Sequence, residues 1–215
     1  MTKKLSEQNN KEQRLWAAFK QKVSINDEQV SQFKLYLKLL QEWNEFINLT
    51  AVSGTPGIIK RHFLDSLAVK QFVDMNQYNL VVDIGSGAGL PGIPLKIMYP
   101  NLKVILLEVN KKRIRFLNTV IEELGLDNIE ICDLDFRTFL RTTEAPVDLF
   151  LARASLDPVE LSRIFKPGCG YKDAKLVYWA GIDFEIDKRV KEFFRSEFEY
   201  RNNARDRKLI LWGRP

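Results

Sequence analysis

Residues 80 to 179 contain five short apolar runs, at 80–84, 104–107, 129–132, 147–151 and 176–179, separated by stretches of helical spacing. A strand that is apolar along its whole length must be covered on both faces. Strands of that kind alternating with helices imply a mostly parallel sheet with helices on either side. The clearest of the intervening helices carries Ile114, Leu117, Ile121 and Leu124, with Asn110 placed to cap its start and Gly125 its end. Two strand-like runs near the C-terminus, 198–200 and 209–212, are joined by RNNARDRK. That link is too short for a crossover helix, so the two runs should pair as an antiparallel hairpin.

The first 75 or so residues have a different character. Asn26 is a suitable N-cap with Gln29 three residues on, and Val30, Phe33, Leu37, Leu40, Trp43 and Ile47 then follow helical spacing. The stretch NLTAVSGTPG at 48–57 breaks the pattern, and a second helical stretch runs over 58–72. The expected organisation is a helical N-terminal extension over 1–76, then a Rossmann-like α/β domain over 77–215 made of five β/α units and the hairpin. Phe33, Trp43 and Phe46 are expected to pack in the interior or between the two parts.

In such sheets ligands bind beyond the carboxyl ends of the strands. The first strand runs directly into a glycine-rich loop, VVDIGSGAGLPGIP at 81–94, which holds four of the chain's 11 glycines. Glycines let a ligand approach the backbone closely, and the helix that follows offers unpaired N–H groups. Gly87 to Gly92 formally matches G-x-G-x-x-G, the dinucleotide fingerprint, but it begins two residues late and contains a proline. The spacing Asp83-x-Gly85-x-Gly87-x-Gly89 instead resembles motif I of class I S-adenosylmethionine methyltransferases. Glu108, at the end of the second run, can accept both ribose hydroxyls of an adenosine. NAD would use the same carboxylate, so only the register of the loop separates the two cofactors.

Several classes are disfavoured by composition. No apolar run approaches the roughly 20 residues that span a bilayer, and the N-terminal stretch has no apolar core of a secretory signal. Cys132 and Cys169 lie too far apart for a metal motif, and the chain has a single histidine. The expectation is a cytoplasmic protein with reduced thiols, no metal and no membrane contact. A net charge of +5 favours an anionic partner such as nucleic acid, weakly.

The loop together with NLTAV, RHFLDSL, LLEVNKKRIRFL and the ARA at 152–154 resembles a specific family, the bacterial 16S rRNA guanine-N7 methyltransferases (the glucose-inhibited division protein B family). The resemblance implies methyl transfer from S-adenosyl-L-methionine to N7 of one guanine in 16S ribosomal RNA, presented as RNA or as small ribosomal subunit. It implies cofactor contacts by Gly85, Leu90, Glu108, Phe136, Arg137 and Arg153. N7 already carries a lone pair, so no general base is expected. Arg61, His62 and Asp65 are candidates for substrate binding, with a packed helix turn as the alternative. The basic run Lys111, Lys112, Arg113 and Arg115 is either a solvated helix face or a contact for RNA phosphates. The chain departs from the family at Ala180-Gly181, where Lys-Gly is usual, and at Phe136-Arg137, where a small and an acidic residue are usual. A methyltransferase of this fold acting on a small molecule, or a non-catalytic RNA-binding protein, are the competing readings.

Overall fold

The computed structural model describes residues 2–202 and 205–215. Helices α1 (Thr2–Val23) and α2 (Asp27–Asn44) come first. A continuous helical segment then changes pitch three times: α3 (Thr55–Ile58), a π turn (Ile59–Phe63), α4 (Leu64–Leu67) and a 3-10 turn (Ala68–Gln71). Strands β1 (Leu80–Ile84), β2 (Lys103–Leu107), β3 (Ile129–Cys132), β4 (Leu149–Arg153) and β5 (Lys175–Gly181) follow. They are connected in turn by α5 (Gly92–Met98), α6 (Lys111–Glu123), α7 (Phe136–Thr142) and α8 (Pro158–Leu161). Strands β6 (Phe194–Asn202) and β7 (Arg205–Trp212) close the chain.

The seven strands form one sheet in the order β3-β2-β1-β4-β5-β7-β6. The first five are parallel, and β7 runs antiparallel between β5 and β6. Alternation along each strand divides the core in two. Val81, Val104, Leu106, Leu149, Leu151, Val177 and Trp179 face the N-terminal helices, α5 and α6. Val82, Ile84, Ile105, Leu107, Phe150, Ala152 and Leu176 face the opposite layer, with Phe139, Leu161 and Ile164. The first of these cores is continuous from α1 and α2 into the sheet: Phe33, Tyr36 and Leu40 share it with Ala88, Leu95 and Phe116.

The N-terminal helices also hold polar groups of the α/β part. Asn26 and Gln29 form the reciprocal capping box at the start of α2. The Gln29 amide donates in addition to the carbonyls of Ile97 and Met98, at 2.8 and 3.2 Å, and so satisfies acceptors at the end of α5. The Tyr36 hydroxyl donates to the Ala88 carbonyl at 2.5 Å, inside the glycine loop.

Three expectations require correction. The fourth strand begins at Leu149 rather than 147, because the Asp148 carboxylate is engaged by the backbone N–H groups of Asn79 and Leu80. The fifth β/α unit has no α-helix: residues 182–193 hold turns at 182–183 and 188–190 around an irregular stretch, with Asp187 accepting from the Arg189 backbone N–H and only a 3-10 turn at Lys191–Phe193. Phe46 is not interior. It lies beyond the end of α2 and is 82% exposed, while Phe33 is fully buried and Trp43 packs on the Phe116 ring. The hairpin forms, with strands longer than the apolar runs alone suggested. Of its link RNNARDRK, Asn203 and Ala204 lie outside the described residues, and the remainder is strand.

Candidate active site at the strand ends

The glycine loop is held from below by Asp83. This fully buried carboxylate accepts the Gly92 backbone N–H at 2.9 Å, tying the end of β1 to the start of α5. Burial pushes its pKa up to about 7, with the Gly92 hydrogen bond opposing. Gly85 lies at φ +65°, and a side chain there would bring its Cβ to 2.8 Å from the Ser155 Cβ on the loop after β4. The glycine therefore permits both the left-handed backbone and the close approach of two strand-end loops. At Gly89, φ is +84° and a Cβ would stand 2.3 Å from the Ile93 Cδ1.

Beyond the loop lies a cleft of about 260 Å³ lined by Gly85, Glu108, Val109, Arg113, Asp135, Phe136 and Ser155. The Glu108 side chain, 5% exposed, accepts the Gly87 N–H on Oε2 and the Asn110 N–H on Oε1, each at 2.9 Å. The Arg113 guanidinium stands 3.7 Å from Oε2. Both oxygens of this carboxylate are thus held by the backbone at the mouth of the cleft. Among the described residues no group of His, Cys, Asp and Glu could hold a metal ion, and no helix is long and apolar enough to cross a membrane.

A second cluster lies across β1, on the β4 and β5 side. Asp65 is fully buried. Its Oδ2 accepts from Arg153 Nε at 2.8 Å, and its Oδ1 accepts from the Tyr200 hydroxyl at 2.7 Å and the Asn202 amide at 2.9 Å. Arg207 Nε stands 3.4 Å from Oδ1, and Trp179 Nε1 donates to the Asp65 backbone carbonyl at 2.9 Å. Arg153 reaches further, donating from Nη2 to the Arg61 carbonyl at 3.0 Å and lying 3.2 Å from His62 Nδ1. His62 Nε2 is 2.6 Å from Thr50 Oγ1. Burial, and then the neighbouring Arg153 charge, lower the His62 pKa to about 4, so the ring is neutral at pH 7.

Of the residues singled out from sequence, Gly85, Glu108 and Phe136 meet in the cleft. Arg61, His62, Asp65 and Arg153 meet in the second cluster. Leu90 is a buried core residue. Arg137 turns away from the cleft and pairs with Glu160 at 2.7 Å, on a separate basic surface that also carries Arg141, Arg163 and Lys166. Sequence reasoning did not assign Ser155 to the cleft or Tyr200, Asn202 and Arg207 to the Asp65 cluster; the positive φ of Ala154, at +54°, which turns the loop after β4 into the cleft, has no signal in an alanine.

The family model for rRNA small subunit methyltransferase G matches residues 29–186. The chain belongs to the rRNA small subunit methyltransferase G family. It is 36% identical over 160 residues to the Listeria innocua ribosomal RNA small subunit methyltransferase G, covering 74% of this chain and 67% of that one. To its Exiguobacterium sibiricum counterpart it is 42% identical over 120 residues, covering 56% and 50%. The chain spans about half the length of the first curated relatives it matches. Among solved structures, a mutant of MtNAS in complex with S-adenosylmethionine superposes with a TM-score of 0.55 at 18% identity, covering 93% of this chain and 84% of that one. The fold is that of the class I S-adenosylmethionine methyltransferases, with the helices and hairpin described above. In this member of the methyltransferase G family the match ends at residue 186, so Tyr200, Asn202 and Arg207 lie outside it.

Two predictions rest on the buried carboxylates. A folded pKa raised above the unfolded value gives stability that is present at low pH and lost as pH rises through the folded pKa. For Asp83 that window runs from about 4 to about 7. Asp83→Asn keeps an acceptor for Gly92 and removes the titration. Its stability relative to wild type should therefore rise by about 2–3 kcal/mol between pH 5 and pH 8 in urea unfolding; a difference that is flat with pH would contradict the assignment. Asp65→Ala should lose about 3–5 kcal/mol of stability, because Arg153 is left buried without its counter-charge, while Tyr200→Phe should lose about 1 kcal/mol.

Proposed function

We propose that the chain transfers a methyl group from S-adenosyl-L-methionine to N7 of a single guanine in 16S ribosomal RNA. Membership of the rRNA small subunit methyltransferase G family carries this reading. The cleft supports the cofactor: a backbone that only glycine adopts comfortably at Gly85, and a carboxylate fixed at the end of β2 where ribose hydroxyls can donate to it. Its volume is near the lower end of small-ligand sites, which run from about 300 Å³. The MtNAS structure, of the same fold, is described as a complex with S-adenosylmethionine.

Glu108 and Phe136 would take the nucleoside part, with Asp135 in place of the acidic side chain usual at the 136–137 pair, because the Arg137 side chain is committed to Glu160. The bound cofactor supplies an electrophilic methyl group on a sulfonium sulfur. Guanine N7 offers a lone pair with no proton to remove, so no side chain acts as a base. The work of the protein is alignment and exclusion of water, effects worth up to about 7–11 kcal/mol. His62, neutral at pH 7, and Arg153, locked by Asp65, form the acceptor side in this reading. The Arg153 guanidinium is suited to donate to guanine O6 or to a phosphate, while both nitrogens of the neutral His62 ring are held within the cluster by Thr50, Arg61 and Arg153. The region over 1–76 then serves as a support for the loop through Tyr36 rather than as a separate unit.

Ribosomal RNA from a strain lacking the gene, incubated with the protein and S-adenosylmethionine, should gain one borohydride- and aniline-sensitive guanine in 16S RNA and none in 23S RNA. Methylation only in 23S RNA, or on an exocyclic amine, would refute the substrate assignment. By calorimetry, Glu108→Ala should lose on the order of 1.5–3 kcal/mol of cofactor binding with a retained cooperative melt. Unchanged affinity would remove Glu108 from the site.

A further inference from the structure

Only two large hydrophobic side chains are prominently exposed among the described residues: Phe46 at 82% and Val109 at 54%. They are 63 positions apart in sequence, and each flanks one of two packed helices, Phe46 after the end of α2 and Val109 before the start of α6. Near the start of α2, Gln32 donates to the carbonyl of Leu124 at the far end of α6. Near the end of α2, the Trp43 ring meets Phe116, with centroids 5.8 Å apart. The two helices therefore run antiparallel. Phe46 comes one turn beyond Trp43, and Lys112 comes one turn ahead of Phe116 on the same side of α6. The loop that carries the exposed phenyl ring thus lies toward the same end of the helix pair as the first turn of α6. That turn leads directly out of the cleft lined by Glu108, Val109 and Arg113.

The surroundings of the ring are basic. Lys112 and Arg115, three apart on α6, are exposed along one stripe. Lys111 pairs with Asp133. The loop that carries Phe46 is fixed: Asn44 accepts the backbone N–H groups of Leu49 and Thr50 at 2.8 and 2.9 Å and donates to the Thr50 carbonyl, and Thr50 contacts His62. An aromatic face on a rigid loop costs little further ordering on contact. Cations spaced along the adjoining helix can follow a phosphate backbone. This combination is how single-stranded RNA is held without sequence readout.

We infer that Phe46 is a stacking platform for an unpaired base of the RNA substrate, flanking the target guanine, while Lys112 and Arg115 contact the phosphates on either side. The inference rests on the rRNA reading above. It assigns the basic run of α6 to RNA rather than to a solvated face, and it supplies a role for an aromatic side chain that the interior does not use.

The test compares wild type with Phe46→Ala, Phe46→Tyr and the Lys112→Ala/Arg115→Ala pair, on protein-free 16S RNA and on small ribosomal subunits, with melting curves showing that each variant folds. Phe46→Ala should weaken RNA binding about tenfold with an unchanged dependence on salt. Phe46→Tyr should restore it, and S-adenosylmethionine affinity should be unaffected in all. The double variant should lower the slope of log affinity against log salt by roughly 0.7 for each lost contact. Wild-type affinity in Phe46→Ala, with methylation of 16S RNA intact, would overturn the stacking role and leave the function standing. Weakened binding to subunits but not to protein-free RNA would also overturn it, in favour of a protein contact. If the wild-type protein bound and methylated no RNA, the functional reading itself would fall, and this inference with it.

Discussion

A buried carboxylate must find its hydrogen bonds inside the protein, and Asp65 finds them from two distant parts of the chain. Arg153 comes from the end of β4 and Tyr200 with Asn202 from β6, while Trp179 of β5 donates to the Asp65 backbone carbonyl. No one of these contacts is unusual. Their convergence fixes where the irregular helical segment 55–71 sits against the sheet, and with it the positions of Arg61 and His62. Charge alone is a poor explanation for such a cluster, because desolvating an ion pair offsets much of its attraction. The geometry is more telling: removing any one donor leaves a polar group with nowhere to turn.

The glycine loop depends on support of a different kind. Asp83 anchors it to α5 and Tyr36 clamps its carbonyl at Ala88, so the loop is gripped from the sheet below and from the N-terminal helix beside it. Glu108 takes the N–H of Gly87 from the third side. A loop with several glycines would otherwise sample many conformations, at a cost to any ligand that had to order it. Here the ordering is supplied by folding, and the left-handed residues stay where a ligand can use them.

The parts legible in the sequence were those governed by neighbours along the chain. The five parallel strands follow from apolar runs, and the caps at Asn26 and Asn110 from residue type and spacing. The missing helix after β5 was not legible, because Ile186, Val190 and Phe193 have helical spacing but reach the core from an irregular stretch, a turn and a 3-10 turn. The family resemblance implies cofactor contacts by both Phe136 and Arg137, yet successive positions on a helix point about 100° apart and only one of them faces the cleft. Phe46 continued an aromatic series along α2, but the helix ends at Asn44, which released it to the surface. For Asp65 the local pattern gave no clue: its partners lie up to 137 positions away, and hydrogen bonds across such distances leave no periodic trace.

That separation has a consequence for how the protein comes into being. A nascent chain emerges from the ribosome N-terminus first, and Asp65 is translated well over a hundred residues before Tyr200 and Asn202. During that interval α2, β1 and the glycine loop have the partners they need and Oδ2 of Asp65 gains Arg153, whereas Oδ1 can only remain hydrated. Dehydration of this one side chain must wait for the hairpin, so the acceptor side of the site is completed last, when the final strand pairs with β5.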